Sequence, residues 1–334
     1  MRNQHKQGVR SGNLAGMAAP SRDVHLGRRR IRTRLQSALD RALGGSPAQA
    51  WFRRQASRKL VVLGYHAVTD PVSFGHQLDH LASKLRPVSL GDILQARGQD
   101  GQLADGSVLV TFDDGDRSLI EIAAPMLRER RIPAVAFVIA DAIDSSDLFW
   151  WDEVIALAAA RARSTGISSP SGSDLVRMLK RVPDEKRLAI LKELRASMDR
   201  PTGAQLRGEE LRLLEEMGIE VGNHTRTHPC LPHCATPKVE SEIVGAHERL
   251  TALLGHPPRA FAYPNGDWDP RGEHVLRDLG YSAAFLFDHR LVDVGSTDPL
   301  RMSRVRTDSA ASLDRFDILM SGLHPALHHA LGRP

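Results

Sequence analysis

Two adjacent acids and a spaced pair of histidines are the residues of this chain whose types and spacing best suit chemistry. Asp113 and Asp114 directly follow the apolar run 108–110, while His224 and His228 stand four residues apart. One carboxylate oxygen and two imidazole nitrogens leave a divalent ion with open positions for water and substrate, as hydrolytic metal sites require. The other carboxylate can then accept a proton from that water. The pattern predicts a metal-dependent hydrolase.

The elements that must position these groups alternate between strands and helices. This alternation predicts a parallel α/β sheet or barrel, and both motifs should leave the same edge of it. Residues 144–217 interrupt the alternation with a mostly helical, Ala-, Leu- and Arg-rich segment, which we interpret as an insertion. Short apolar runs typical of buried strands occupy residues 60–65, 108–112, 134–140, 219–222, 260–263 and 281–287.

The positive charge of the chain is concentrated at its start. Residues 1–59 hold fourteen Lys or Arg against two Asp, a charge of about +12, whereas the whole chain carries +5. Residues 1–24 are predicted to be disordered, and residues 26–43 have an apolar residue at every fourth position, as in a basic amphipathic helix. This helix either packs on the main domain or docks on a membrane surface or a partner. A nucleic-acid partner is not expected, because residues 1–50 contain no aromatic residue to stack on bases.

Targeting signals and cysteines set further expectations. No stretch has the apolar length of a secretory signal or a membrane span. This predicts a cytoplasmic protein or, alternatively, one that is peripheral at the inner face of the membrane. Met17 is an alternative start. The two cysteines, Cys230 and Cys234, imply no disulfide framework. With His233 they form either a second metal site or a loop with two reduced thiols.

These motifs resemble those of the polysaccharide deacetylases with a NodB homology domain, carbohydrate esterase family four. Residues 111–115, 224–228 and 261–266 correspond to the first three motifs of that family, and the resemblance covers about residues 59–308. It implies a deformed (β/α) barrel that hydrolyses N-acetyl groups on sugars. It also implies that Asp113 is the catalytic base. Asp114, His224 and His228 would be the ligands of a metal ion, which is zinc or alternatively cobalt or nickel.

The third motif departs from the common form of the family. Ala262 occupies the position of an Arg that orients the base, and Arg304 is our candidate for its replacement. Asn265 occupies the position of a Tyr whose backbone N–H binds the oxyanion, and a main-chain donor does not depend on the side chain. Tyr263 and Pro264 of the same motif are expected to line the substrate pocket.

The general acid is not evident from the sequence. The family's last motif, Leu-x-His, has no match, and neither His289 nor His324 has the right context. Three alternatives remain: an unidentified residue protonates the leaving amine, His66 does so, or Asp113 does both jobs. His66 lies at a strand end and could reach the pocket, or it could be satisfied by backbone groups at the barrel rim.

Other segments suggest a subgroup and a substrate. Residues 64–68, the form Phe-Ala-Tyr-Pro and residues 149–153 resemble deacetylases acting in exopolysaccharide biosynthesis. Trp150 and Trp151 could form a sugar-stacking wall or pack in the core, and Trp268 is a further candidate for the wall.

The expected substrate is an acetylated amino-sugar glycan or a lipid-linked precursor. Alternatives are O-acetyl ester or non-sugar amide hydrolysis on the same fold, and a glycan-binding pseudoenzyme, which the absent Arg and final His would explain. The expected organisation is a basic extension at 1–58, the NodB-like domain at 59–308 and a helical tail at 309–334.

Overall fold

Eight parallel strands form the centre of the molecule. The computed structural model describes residues 46–99, 101–165, 171–196, 200–323 and 326. The strands are β1 (Val61–Tyr65), β2 (Arg86–Pro87), β3 (Ser107–Phe112), β4 (Ala134–Val138), β5 (Ile219–Asn223), β6 (Ala260–Ala262), β7 (Ala283–Phe285) and β8 (Val305–Arg306).

The sheet curls into a deformed barrel. Its strands follow the order β7-β6-β5-β4-β3-β1-β8, with β2 beside β3, and every strand pairing is parallel. Met302 forms a parallel bridge with Phe285 of β7, and Val305 pairs with Leu63 of β1 a few residues later. The short segment 302–306 therefore links the two ends of the sheet. The predicted fold class is confirmed.

The pleat of the strands separates two apolar cores. On β3, Val108 and Val110 face the surrounding helices, whereas Leu109 packs with Val62 and Phe137 inside the barrel. Because side chains alternate along a strand, Thr111 and Asp113 continue the inward series of Leu109. The sequence thus aims Asp113 at the barrel interior.

Helices surround the sheet, and several of them form the insertion. Trp150, Val154, Leu179 and Leu191 give the insertion a small apolar cluster of its own. The α-helices are α1 (Pro47–Ala56), α2 (Pro71–Lys84), α3 (Leu90–Gly98), α4 (Ala124–Glu129), α5 (Trp150–Thr165), α6 (Gly172–Leu179), α7 (Asp184–Ala196), α8 (Gly208–Glu216), α9 (Thr236–Leu254), α10 (Pro270–Asp278) and α11 (Leu313–Met320).

The described parts of the expected extension and of the expected tail pack on the domain. Phe316 of α11, in the expected tail, is fully buried in the core outside the barrel. Helix α1, which lies within the expected extension, is tied to α11 by an Arg53–Asp317 ion pair of 3.1 Å. The predicted disorder of residues 1–24 and the amphipathic helix at 26–43 lie outside the described residues. Within the described ranges, the helices are too short or too polar to cross a membrane.

An ionic cluster fixes the segment that approaches β8. Glu273 of α10 is buried and accepts hydrogen bonds from Arg277 at 2.9 Å, from Arg301 at 2.6 Å and from the indole of Trp268 at 2.6 Å. The hydrogen bond from Arg301, together with those from Arg277 and Trp268, outweighs the effect of burial and lowers the pKa of Glu273 to about 2. The cluster therefore stabilises the chain just ahead of segment 302–306.

Replacing Glu273 with Gln should destabilise the protein by about 1–2 kcal/mol at pH 7, since the arginine partners are half exposed and screened by solvent. A carboxylate whose pKa is depressed on folding stabilises the protein above its unfolded-state pKa. That stabilisation is lost as the pH falls toward the folded-state value. The difference between the variant and the wild type should therefore shrink as the pH falls from about 4.5 toward about 2. Urea denaturation across this range measures it, with Glu240→Gln as an exposed control; a difference that does not vary with pH would contradict the assignment.

Candidate active site

The two adjacent acids both turn into the barrel because the backbone changes direction between them. Asp113 still belongs to the ladder, since its N–H donates to the Tyr65 carbonyl at 2.9 Å. Asp114 has φ 73° and Gly115 has φ 80°, both in the left-handed region. This turn breaks the strand alternation that would otherwise send the second side chain outward.

The histidines come from the loop that follows β5. Nδ1 of His224 lies 2.8 Å from the Ala262 carbonyl oxygen. A carbonyl can only accept, so Nδ1 carries the proton and Nε2 of the neutral ring presents its lone pair to the site. His228 has φ 54°, and its carbonyl accepts a hydrogen bond from the Trp150 indole at 3.1 Å.

Asp114, His224 and His228 converge on one point. Oδ1 of Asp114 lies 3.5 Å from Nε2 of His224 and 3.6 Å from Nε2 of His228, and all three side chains are buried. Among the described residues, Asp114 Oδ1 has no hydrogen-bond partner. Three buried acceptor atoms that face one another without a donor between them are poorly placed unless a cation joins them. The donor set therefore fits a divalent ion such as zinc, with further positions left for water or substrate.

The electrostatics of the pocket also favour a cation. Burial opposes a charge on His224, but the carboxylates of Asp113 and Asp114 outweigh it and raise the pKa of this imidazole. Burial and the neighbouring His224 lower the pKa of His228 to about 3, so that ring is a neutral ligand. Burial alone would raise the pKa of Asp114, but its histidine neighbours bring it far below the usual range.

Arg304 holds both oxygens of Asp113. Its Nη1 and Nη2 donate to Oδ1 and Oδ2 at 2.5 and 2.9 Å, and both side chains are buried. Burial raises the pKa of Asp113, but the charges of Arg304 and His224 overcome this and lower it. Nη1 also donates to Thr111 Oγ1 at 3.2 Å. Arg304 thus supplies the guanidinium that the common motif has at the position of Ala262, and it lies more than forty residues later in the chain.

Phe287 is a residue of the site that the sequence analysis missed. Its ring lies 4.1 Å from the Arg304 guanidinium carbon and stacks on His66 at 5.9 Å. Gly64 and Gly266 make room for it, because a Cβ at either position would collide with Phe287. The close approach of two glycines to one aromatic residue is a tertiary feature without a local sequence signal.

His66 does reach the site. Its Nε2 lies 4.0 Å from Oδ2 of Asp114 and 3.4 Å from Nη2 of Arg306, and about a third of the side chain is exposed. Burial, only partly offset by the charge of Asp114, lowers its pKa. The backbone N–H of His289 donates to the Arg304 carbonyl at 3.1 Å. His324 lies outside the described residues.

The third motif contributes less to the pocket surface than expected. Tyr263 is fully buried in the outer core, with its hydroxyl 3.4 Å from the Leu300 carbonyl, and Pro264 is buried as well. The expectation that Tyr263 lines the pocket is not met, because its side chain follows the outward alternation of Phe261 into the outer core. For Pro264 it stays a prediction. Asn265 has φ 59°, and its Nδ2 donates to Cys230 Sγ at 3.3 Å.

The three tryptophans have different surroundings. Trp150 packs in the core of the insertion, with the Arg187 guanidinium 4.9 Å from its ring. A sugar-stacking role for Trp150 stays a prediction. The partly exposed Trp151 has its ring centre 4.7 Å from that of His228 and lies at the site. Trp268 belongs to the Glu273 cluster, with Arg301 4.3 Å above its ring.

The cysteines do not form a second metal site in the described part of the chain. Both thiols are buried, and burial raises the pKa of each, that of Cys234 to about 12. His233 is exposed. Among the described residues, Asp114, His224 and His228 are the only cluster that could hold an ion.

Lys180 is a second residue that the sequence analysis missed. It follows α6 of the insertion and is partly buried. Burial lowers its pKa, and its positive charge contributes to lowering the pKa of His228. The insertion thus contributes a cation to the electrostatics of the histidine pair.

Comparison with known families agrees with this geometry. Residues 100–284 match the polysaccharide deacetylase family, more than half of the chain. This chain belongs to the polysaccharide deacetylase family, a family of hydrolases. A comparison with curated proteins found no match.

Solved structures share the fold. The chain is similar to the Streptococcus pyogenes deacetylase PplD in complex with acetate, at 16% identity and a TM-score of 0.56, over 78% of this chain and 98% of that one. It is also similar to IcaB from Ammonifex degensii, at 22% identity and a TM-score of 0.55, over 79% and 97%. A de-N-acetylase from Aggregatibacter actinomycetemcomitans matches at 14% identity and a TM-score of 0.54, over 78% and 99%.

Replacing Arg304 with Met should lower the free energy of unfolding by about 3–5 kcal/mol at pH 7, because the Asp113 carboxylate is left buried without a cation. The loss should be smaller at acid pH, where Asp113 becomes neutral. Arg304→Lys keeps the charge but not the two-pronged geometry, so an intermediate loss is expected. Urea denaturation of the three proteins measures this, and a Met variant as stable as the wild type at pH 7 would contradict the pairing.

Proposed function

We propose that this protein is a metal-dependent deacetylase that removes N-acetyl groups from an amino-sugar-containing glycan or glycan precursor. The observation that carries the proposal is that two adjacent carboxylates have different surroundings. Asp113 is held by Arg304, and Asp114 faces two histidine nitrogens with an unpartnered oxygen. Membership of the polysaccharide deacetylase family supports the choice of substrate class.

The residues divide the work as follows. A divalent ion such as zinc, held by Asp114, His224 and His228, would polarise the acetyl carbonyl and lower the pKa of a water molecule. Asp113 is the base. Its Oδ2 lies 3.8 Å from Nε2 of His224, so the carboxylate borders the atoms that would hold the ion. Arg304 fixes the carboxylate in this orientation and keeps it ionised.

We infer that Asp113 also returns the proton to the leaving amine. His66 is poorly suited to this step, because burial lowers its pKa and favours the neutral ring. It also lies beside Asp114 rather than Asp113. Asp113 acquires a proton during attack on the carbonyl, and the same carboxyl group can then donate it. The oxyanion is assigned to the backbone N–H of Asn265, which lies in the turn after β6.

A glycan-binding pseudoenzyme is the less favoured candidate. It was suggested by the absent Arg of the third motif, but Arg304 replaces that cation in contact with Asp113. A pure binding protein would have no use for an ionised, unliganded acid beside a metal site. Ester and non-sugar amide substrates would use the same residues and are distinguished by assay.

The finer features of the proposal rest on the sequence alone. A role in exopolysaccharide biosynthesis rests on residues 64–68 and 149–153. We also propose that residues 26–43 contact the inner face of the membrane and that the substrate is lipid-linked.

Asp113→Asn should retain zinc but lose about 10²- to 10⁴-fold in acetate release, because the base is removed while the ligands remain. His224→Ala and Asp114→Asn should lose zinc as well as activity, and chelation followed by zinc addition should abolish and restore activity in the wild type. Metal analysis and acetate release from N-acetylglucosamine oligosaccharides measure both properties.

The controls separate the rival functions. Parallel assays on O-acetylated glycans and on N-acetylated amines that are not sugars identify an esterase or a general amidase. A wild-type protein that binds zinc yet releases no acetate from any of these substrates would instead be the glycan-binding protein. Full activity of Asp113→Asn would refute the assignment of the base.

A further inference from the structure

The two histidines of the site are held in different ways. Nδ1 of His224 lies 2.8 Å from the Ala262 carbonyl oxygen, so a barrel strand fixes the orientation of that ring. Nδ1 of His228 is buried, and among the described residues it has no hydrogen-bond partner. Histidines that bind metals usually donate their second ring nitrogen to a protein acceptor, which sets the ring orientation. The position of His228 is therefore set by its backbone and by the contacts of its ring.

The backbone of His228 needs support from its neighbours. Its φ of 54° lies in the left-handed region, and the next residue is Pro229. Histidine tolerates this region, but a proline favours extended conformations with negative φ in the residue before it. Two side chains hold the polar backbone groups: Thr225 Oγ1 accepts from the His228 N–H at 3.1 Å, and the Trp150 indole donates to the His228 carbonyl at 3.1 Å. The second of these contacts comes from the insertion.

Trp150 is itself fixed on several sides, which makes its N–H a well-placed donor. It begins helix α5 and packs with Val154 in the apolar cluster of the insertion. The guanidinium carbon of Arg187 lies 4.9 Å from the centre of its ring, and that guanidinium is held in turn by Asp184 at 2.6 Å. Both members of this ion pair are buried. The core of the insertion thus determines where the indole N–H points.

Trp151 contacts the same histidine from another direction. Its ring centre lies 4.7 Å from that of His228, with the two planes at 63°. The rings of Trp150 and Trp151 also meet edge to face, with centres 5.7 Å apart. Adjacent residues of one helix therefore contact the carbonyl and the ring of one candidate metal ligand.

We propose that Trp150 is a positioning residue for the metal site, and that the insertion sets metal affinity through it. The indole N–H fixes the His228 carbonyl, and Trp151 restricts the ring, so Nε2 of His228 stays directed at Asp114 Oδ1, 3.6 Å away. This inference rests on the metal-binding part of the proposed function. It adds that residues outside the barrel determine how tightly the ion is held.

The test removes the indole N–H and measures zinc binding. Trp150→Phe keeps an aromatic ring in the core but cannot donate to the His228 carbonyl. Val154→Ala is the matched control, because Val154 is fully buried in the same cluster and its truncation weakens that core without removing the N–H. The full-length proteins are stripped of metal, and the dissociation constant for zinc is measured by competition with a chromophoric chelator at neutral pH. Thermal melting of the metal-free proteins reports the stability of each.

We expect Trp150→Phe to weaken zinc binding by about tenfold, the lower end of the effect of removing an outer partner of a metal ligand. Both variants should melt at a lower temperature than the wild type, because each loses core packing, but Val154→Ala should bind zinc as tightly as the wild type. The visible spectrum of the cobalt-loaded protein depends on ligand geometry and should change in Trp150→Phe alone. A purely structural role for Trp150 would lower the melting temperature and leave both metal measurements unchanged.

A second variant covers the case in which Trp150→Phe does not fold. Site-specific incorporation of benzothienylalanine at position 150 keeps the shape of the ring system and exchanges the N–H for sulfur. This variant should also bind zinc about tenfold more weakly than the wild type.

Zinc affinity equal to that of the wild type in either folded variant at position 150 would overturn the proposal, and so would an equal loss in Val154→Ala. A wild-type protein that binds neither zinc nor cobalt would overturn it together with the metal dependence of the proposed function. Because none of these measurements involves hydrolysis, a failure of the proposed reaction is detected separately. It would appear as a wild-type protein that binds zinc but releases no acetate.

Discussion

The buried ion pair of Asp113 and Arg304 is the interaction on which the rest of the site depends. A carboxylate removed from water is strongly unfavourable unless a cation and hydrogen bonds accompany it. Its partner here comes from 191 residues away in the sequence. The pair can form only when segment 302–306 has joined β7 to β1, so closure of the barrel and completion of the candidate active site are one event.

The same pair explains how two neighbouring acids acquire different roles. The charge of Asp113 is balanced by Arg304, so it does not repel the carboxylate beside it. In the part of the chain that the structure describes, Asp114 has no arginine partner and directs its charge at two imidazoles. The backbone turn at Asp114 produces this division, since a continuing strand would place the two side chains on opposite faces. Environment, rather than residue type, separates a proposed base from a proposed ligand.

The sequence is informative where position along an element determines the outcome. Strand and helix alternation predicted the barrel, and the polar residues after β3 and β5 marked the edge where Asp114 meets the histidines. Alternation could also have placed Tyr263 correctly, because it lies two residues after outward-facing Phe261. The positions of Trp268 and Phe287 could not be read in this way, because they depend on contacts with distant segments. Arg304 was suggested only by the gap that Ala262 leaves.

Unusual backbone conformations are concentrated in the three motifs of the site. Among the described residues other than glycine, seven have positive φ, and four of them lie in the three motifs. Asp, Asn and His tolerate the left-handed region, but the β-branched Thr225 does not, and strain of this kind persists only where surrounding contacts enforce it. Here Asn223 Oδ1 accepts from the Thr225 N–H at 2.7 Å, and Thr225 Oγ1 accepts from the His228 N–H at 3.1 Å. Because Asn223 is itself held by Tyr281 at 2.8 Å, the outer core sets the spacing of the two histidines. Metal affinity should then depend on packing around Tyr281 as well as on the ligands themselves.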